Sequence, residues 1–179
     1  LHQYLDKVPG ITYRRDGHIV QTRRSGTVSP DFVELPDFHS IKDLSSANPM
    51  AGGVLETVRG CTEKCSYCQV IQQFLGYRLV SRETEIKRLQ QLRTMADDGL
   101  IHSSRGGVFN IFISDDLHPP PLRAVKYRDE RLERLKAWKG HTDGMNLICQ
   151  ARAEIGQDPE LAGAMWDANI KMLYVGVES

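Results

Sequence analysis

Three cysteines within eight residues, Cys61, Cys65 and Cys68, are the side chains best suited to do chemistry in this chain. The stretch Cys61-Thr62-Glu63-Lys64-Cys65-Ser66-Tyr67-Cys68 is a C-x3-C-x2-C array, short enough for three thiolates to wrap one face of a compact inorganic cluster. Thiolates are the ligands that iron–sulfur clusters and zinc prefer. A structural zinc ion usually takes four protein ligands, commonly as two separated pairs; this array offers three. Three thiolates on a [4Fe–4S] cluster leave one iron open to a substrate or cofactor. A ferredoxin-like site asks for a fourth local cysteine, and the remaining one, Cys149, lies far downstream. Two readings follow: a cluster with an open coordination position, or a zinc-binding structural or interaction module completed by His102, His118 or Cys149.

The rest of the chain must position this array. Its 179 residues are 40% hydrophobic and 26% charged, enough to bury a core in one domain, or in one domain with an attached piece of another. Lys+Arg and Asp+Glu both number 23, so no charge excess points to nucleic acid or an anionic membrane as partner. No apolar run is long enough for a transmembrane segment, and the first twenty residues carry charges where a signal peptide would be apolar. A tight cysteine cluster is not a disulfide framework, and a soluble, cytoplasmic chain is expected. It begins with Leu1 and stops at Ser179 directly after an apolar run, which reads as a piece of a longer polypeptide cut inside a domain. Such a piece should expose a sheet edge and apolar surface, and dissolve poorly.

Residues 1–52 read as a linker with a small hairpin. ITYRR and HIVQT flank Asp16-Gly17, which favours a type I′ turn, and a connector holding Pro30 and Pro36 runs from Ser25 to Gly53. From residue 53 to 179 strands and helices alternate. VLETV (54–58) is the first strand and leads into the array. Residues 82–98 form a helix capped by Ser81, stopped by Gly99, with Ile86, Leu89, Leu92 and Ala96 on one face. VFNIFISDD (108–116) is the second strand, 127–138 the second helix with Leu132, Leu135 and Trp138, and NLICQARAE (146–154) the third strand. Asp158-Pro159-Glu160 opens a third helix with Leu161, Met165 and Ala168 inward, Asn169 ends it, and MLYVGV (172–177) is the fourth strand. This order predicts an α/β fold, either an open doubly wound sheet or a barrel, with chemistry at the carboxyl ends of parallel strands.

Alternation along the strands separates two faces. Asn110, Ser114 and Asp116 share one parity, as do Gln150, Arg152 and Glu154, and Tyr174, Gly176 and Glu178. The opposite parity is apolar: Ile111 and Ile113, then Leu147, Cys149, Ala151 and Ala153, then Leu173, Val175 and Val177. A polar interior around a ligand and an apolar exterior under helices are expected, with Cys149 a buried thiol.

The array, with an aromatic residue before its third cysteine, resembles the signature of the radical S-adenosylmethionine (radical SAM) enzymes. Further echoes are TVRGC leading into it, GYR…SRETEI, the FISDD strand end, the R-x-E-I…DPEL passage and the terminal YVGVES, so the resemblance spans about Val54 to the end. It implies an incomplete parallel (βα) barrel of about four strands in which Cys61, Cys65 and Cys68 hold a [4Fe–4S] cluster. S-adenosylmethionine would chelate the fourth iron, and an electron from a donor such as flavodoxin or ferredoxin would cleave it to methionine and a 5′-deoxyadenosyl radical. Ser114-Asp115-Asp116 stands where the family usually has a Gly-rich motif with an acid. By the same resemblance Arg152 suits the SAM carboxylate, Glu178 a polar contact to SAM, and Tyr67 the adenine or the cluster's flank.

VPGITYRRDGHIV followed by LPDF (35–38) resembles the connector that joins a cobalamin-binding domain to the barrel in the B12-dependent branch of this family. That implies a cobalamin domain before Leu1, and methyl transfer or ring formation on a substrate that the chain does not identify. Other readings stand beside these: Asp115 and Asp116 as turn caps, Arg152–Glu154 as a surface ion pair, Thr57 and Arg59 as lining of the cavity with a structural role for the arginine as the alternative, Trp138 and Trp166 as core, and His118 to Pro121 as a rigid loop near the end of the second strand that faces the substrate.

Overall fold

The computed structural model describes residues 2–24, 26–35, 37–74 and 76–176, with His2 and Gln3 as backbone only. Ser25, Pro36, Val177 and Glu178 therefore lie outside the described residues. After a short turn of helix α1 (His2–Leu5), strands β1 (Thr12–Arg15) and β2 (His18–Gln21) pair antiparallel as the expected hairpin. Asp16 (φ 48°) and Gly17 (φ 80°) are both left-handed, as the type I′ turn requires.

The connector that follows is strapped to the main body. Arg88 reaches from the helix α3 (Arg82–Asp97) to the carbonyls of Pro30 (3.2 Å) and Val33 on one side and of Glu56 (2.6 Å) on the other. Asp31 accepts the Ser81 N–H at 2.8 Å, and hydrogen bonds from Thr84 and Ser81 hold its carboxyl down at about 2.

Four parallel strands form the central sheet in the order β3 (Gly53–Leu55), β6 (Phe109–Ile113), β7 (Met145–Arg152), β8 (Ile170–Gly176). Helices α3, α4 (Val125–Ala137) and α5 (Pro159–Asp167) lie between successive strands in the chain. Ser81 caps α3 by accepting the Thr84 N–H, Asp158 caps α5 by accepting that of Leu161, and Asn169 leaves α5 with φ 64°. Leu89, Leu92 and Met95 of α3, Leu132 and Leu135 of α4, and Leu161 and Met165 of α5 pack on Leu55, Ile111, Ile113, Leu147 and Cys149 of the sheet. That is the apolar parity read from the sequence, and Cys149 is fully buried in it.

Several expectations are corrected. The first strand stops at Leu55 rather than Val58, because the Thr57 and Val58 N–H groups turn to the Asp115 carboxylate. Val58–Arg59 then forms β4, which pairs antiparallel with β5 (Arg78–Leu79) and clasps the intervening loop, within which α2 (Val70–Gln73) is one turn. The third strand ends at Arg152, and Ala153–Gln157 is a 3-10 turn, so Glu154 leaves the strand. Trp138 is core, but Trp166 is 61% exposed: Met165 takes the inward position next to it, and Lys171 covers the indole at 3.7 Å. His118 to Pro121 are buried. Leu173 and Val175 on the edge strand β8 are 37% and 39% exposed, without the helix cover their parity suggested.

The sequence also hid a charged layer between α3 and α4. Glu85, Arg131 and Arg134 are all buried, with Arg134 Nη1 2.9 Å and Arg131 Nη1 3.6 Å from Glu85 Oε1, and the Trp138 indole N–H donating to Glu85 Oε2 at 3.1 Å. Burial raises the Glu85 carboxyl, while the two arginines oppose that shift. Among the described residues no helix is long and apolar enough to cross a membrane.

Candidate functional site

One cavity of about 440 Å³ opens at the carboxyl ends of the parallel strands. The cysteine loop forms one wall with Cys61, Glu63, Cys65, Tyr67 and Cys68. Asp116 and Leu117 after β6, Gln150 to Glu154 at the end of β7, and Tyr174 and Gly176 of β8 form the others. Parallel β strands put their carboxyl ends on one side of the sheet, so residues far apart in sequence converge there.

Gly60 opens the loop with φ +89°, where a Cβ would stand 2.0 Å from the Gly76 carbonyl oxygen. Only glycine passes between the two strands of the clasp in that conformation. Cys61 follows at once. Burial raises its thiol above the ordinary range, and the Glu63 N–H, 3.4 Å from Sγ, works the other way by favouring the thiolate. Cys61, Cys65 and Cys68 are all partly exposed to the cavity they share.

This donor set fits an iron–sulfur cluster better than zinc. A tetrahedral zinc needs four ligands around one point, and the array supplies three. A cubane takes each thiolate on a different iron and leaves one iron without a protein ligand. The residues considered as a fourth zinc ligand lie elsewhere. Cys149 is in the core with its thiol pushed up to about 12 by burial, His118 is enclosed with Nδ1 2.8 Å from Asp115, and His102 is exposed beside Met50, whose carbonyl accepts its N–H.

The residues expected to contact SAM are placed as follows. Arg152 borders the cavity, with Nη1 3.6 Å from Glu63 Oε2 and Nε 3.7 Å from Glu154 Oε2. Tyr67, 69% exposed, stands at the rim. Asp116 faces the cavity half-buried. Desolvation raises its carboxyl, and the neighbouring Asp115 and Glu56 charges add to that against the Gly60 N–H that it accepts. Ser114 does not line the cavity and donates its hydroxyl to the Leu55 carbonyl. Asp115 is fully buried behind the cavity wall. Glu178 lies outside the described residues.

Glu63 and Arg123 escaped sequence reasoning. Arg123, ahead of α4, meets Glu63 Oε1 at 2.5 Å, so Glu63 joins the cysteine loop to two arginines. Glu63 sits inside the array, where only its neighbours draw attention, and nothing local marks Arg123. Gln150 and Glu154 were visible through their shared polar parity with Arg152.

No family model matches the chain, and no curated protein matches it by sequence. Solved structures do. The cobalamin-dependent S-adenosylmethionine radical enzyme OxsB, in its apo form, is similar over 98% of this chain and 25% of its own, with TM-score 0.70 and 21% identity. OxsB with aqua-cobalamin and S-adenosylmethionine bound gives TM-score 0.65 at 18% identity, with the same coverage. The radical S-adenosylmethionine methyltransferase TsrM from Kitasatospora setae, with cobalamin and a [4Fe–4S] cluster bound, matches over 95% of this chain and 33% of its own, with TM-score 0.61 and 12% identity. The chain thus spans a quarter to a third of the length of these structures. It has the fold they share, an α/β arrangement on a parallel sheet in which the hairpin and connector are included.

Proposed function

We propose that this chain is the first part of the barrel of a radical SAM enzyme, with Cys61, Cys65 and Cys68 as the ligands of a [4Fe–4S] cluster. The observation that carries the reading is that three thiols, those of Cys61, Cys65 and Cys68, line one cavity at the strand ends together with Arg152, Gln150 and Glu154. Likeness in fold to OxsB and TsrM supports it.

The cluster, when bound, supplies one electron that breaks a carbon–sulfur bond of SAM, giving methionine and a 5′-deoxyadenosyl radical. The chain's own residues bind and orient. Arg152, 37% exposed at its side chain, offers a guanidinium to the carboxylate of SAM once Glu63 releases it. Asp116 accepts a hydrogen bond from the amino group, while Tyr67 packs on the adenine or the open flank of the cluster. Glu178, one alternation beyond Gly176, gives a polar contact from the end of the fourth strand. Residues 1–52 act as the connector to a preceding cobalamin-binding domain and 53–179 as the start of the barrel. In that setting the reaction is methyl transfer or ring formation on a substrate still to be identified. A flavodoxin or ferredoxin would deliver the electron in a cytoplasmic setting.

The test is anaerobic reconstitution with iron and sulfide, then electron paramagnetic resonance (EPR) of the reduced protein with and without SAM. A [4Fe–4S]⁺ signal that changes with SAM and disappears in the Cys61→Ala/Cys65→Ala/Cys68→Ala variant is expected. One tightly bound zinc and no iron cluster would refute the reading.

A further inference from the structure

We propose that Asp115 is the positioning residue for the cysteine loop, holding the backbone that leads into Cys61 rather than contacting a ligand. This rests on the assignment of the three cysteines as cluster ligands and adds to it the means by which the barrel sets the first of them.

A carboxylate has about four acceptor positions, and those of Asp115 are filled from within the chain. Oδ1 accepts the Thr57 N–H at 2.6 Å and the Val58 N–H at 2.9 Å; Oδ2 accepts the Thr57 hydroxyl at 2.5 Å and His118 Nδ1 at 2.8 Å. Asp115, Thr57 and His118 are each fully buried. No acceptor position remains for a ligand, and the group is closed off from the cavity.

The bonds determine where the chain goes. In a continued parallel strand the Thr57 N–H would serve the ladder to β6, while that of Val58 would point to the open edge. Drawn to Asp115 instead, they end β3 at Leu55 and turn the backbone into the two-residue clasp of β4 on β5. The next residue to be held is Gly60, whose N–H goes to the Asp116 carboxylate, and Cys61 follows it. The returning end of the loop is tied to the same turn, because the Tyr77 hydroxyl donates to the carbonyls of Leu117 (3.4 Å) and His118 (3.3 Å). Both ends of the loop therefore hang on residues 115–118.

The experiment compares Asp115→Ala, Asp115→Asn and Thr57→Val in the full chain, beside wild type. The metal-free protein is treated with iodoacetamide, and the alkylation rate at each cysteine is read by mass spectrometry. Iron uptake and the EPR spectrum of the reduced cluster are then measured. In Asp115→Ala, Cys61 should alkylate about fivefold faster with Cys149 still protected, since a buried hydrogen-bonded tie has been lost; iron should fall and the EPR signal shift. Asparagine should restore both, because its oxygen accepts from Thr57 and Val58 while its amide serves the Thr57 hydroxyl and His118. Thr57→Val, which loses one bond of the four, should show the same change in smaller degree and stands in if Asp115→Ala does not fold. Unchanged Cys61 reactivity and EPR in a folded variant would overturn the proposal, as would a rise shared equally by Cys149, which marks general unfolding. If wild type takes up no iron, the cluster assignment fails, while the alkylation contrast still decides the positioning role.

Discussion

Acidification should weaken this protein through a single buried imidazole. His118 would titrate at 6.5 in an unfolded chain and is lowered to about 4 in the fold. Burial is the main cause and the Arg131 charge the second, with the hydrogen bond and charge of Asp115 opposing them. The groups around it are Asp115 at 2.8 Å, the Trp138 ring at 5.7 Å, Tyr77 on its carbonyl, and Arg131, itself paired with Glu85. Among the described residues its Nε2 has no hydrogen-bond partner, so a proton there gains no acceptor. Between the two pKa values the unfolded chain binds a proton that the folded chain refuses, and stability falls as pH falls. The shift, 6.5 − 4 = 2.5, corresponds to roughly 2 kcal/mol lost between neutrality and about pH 4.5, and about 3 kcal/mol below the folded value. Asp115, held below the usual carboxylate range against its own burial by His118 and Arg131, keeps its contribution above 3.8 and loses it only at more acid pH, outside this window. Urea unfolding followed by circular dichroism at a series of pH values would measure the slope, with His118→Asn as the variant that keeps a donor toward Asp115 and cannot titrate. Its slope should be shallower by about that amount. A variant as acid-sensitive as wild type would show that the imidazole is not the cause.

Gly60→Ala should destabilise the fold by about 2–4 kcal/mol, the sum of left-handed strain and a backbone overlap that a small shift cannot relieve. A urea midpoint close to wild type would contradict the geometry. Cys149→Ala should lower stability by about 1 kcal/mol and leave iron content unchanged, since its thiol is on the helix-covered face; loss of iron there would make Cys149 a ligand. Glu63→Gln should tighten SAM binding by up to about fivefold in calorimetry on loaded protein, because Arg152 and Arg123 lose a competing carboxylate whose ion pairs are partly solvated. Weaker binding would instead make Glu63 part of the SAM site.

Where a feature depends on local rules, the chain announces it. Ser81, Asp158 with Pro159, and Asn169 mark helix ends through their own side chains or backbone, and Asp16-Gly17 sets a turn without help from the rest of the molecule. Period-two alternation likewise separates Arg152 and Gln150 from Cys149. What depends on which elements are neighbours is hidden. Arg131 and Arg134 sit in a run, VKYRDERLERLKA, that reads as a solvated helix face, and only the approach of α3 with Glu85 makes them interior. Parity already sets Asp116 on the polar side with Asn110 and Ser114, and it lines the cavity, but nothing local shows that Asp115 is closed into hydrogen bonds with Thr57 and Val58.

The clasp formed by Val58–Arg59 on Arg78–Leu79 changes how ordering of the cysteine loop is distributed over time. Bringing the two ends of a loop together costs entropy that grows only slowly with length, about 0.6 kcal/mol for each doubling. Here that closure is completed as the chain folds, by the ladder and the turn at 115–118, before anything is bound. A ligand arriving at the cysteines meets a loop already closed and has only its interior to order. By the same accounting, insertions between Cys68 and Gly76, which leave the spacing of the three cysteines intact, are thermodynamically inexpensive, so this part of the loop can vary in length while the sheet beneath it stays as it is.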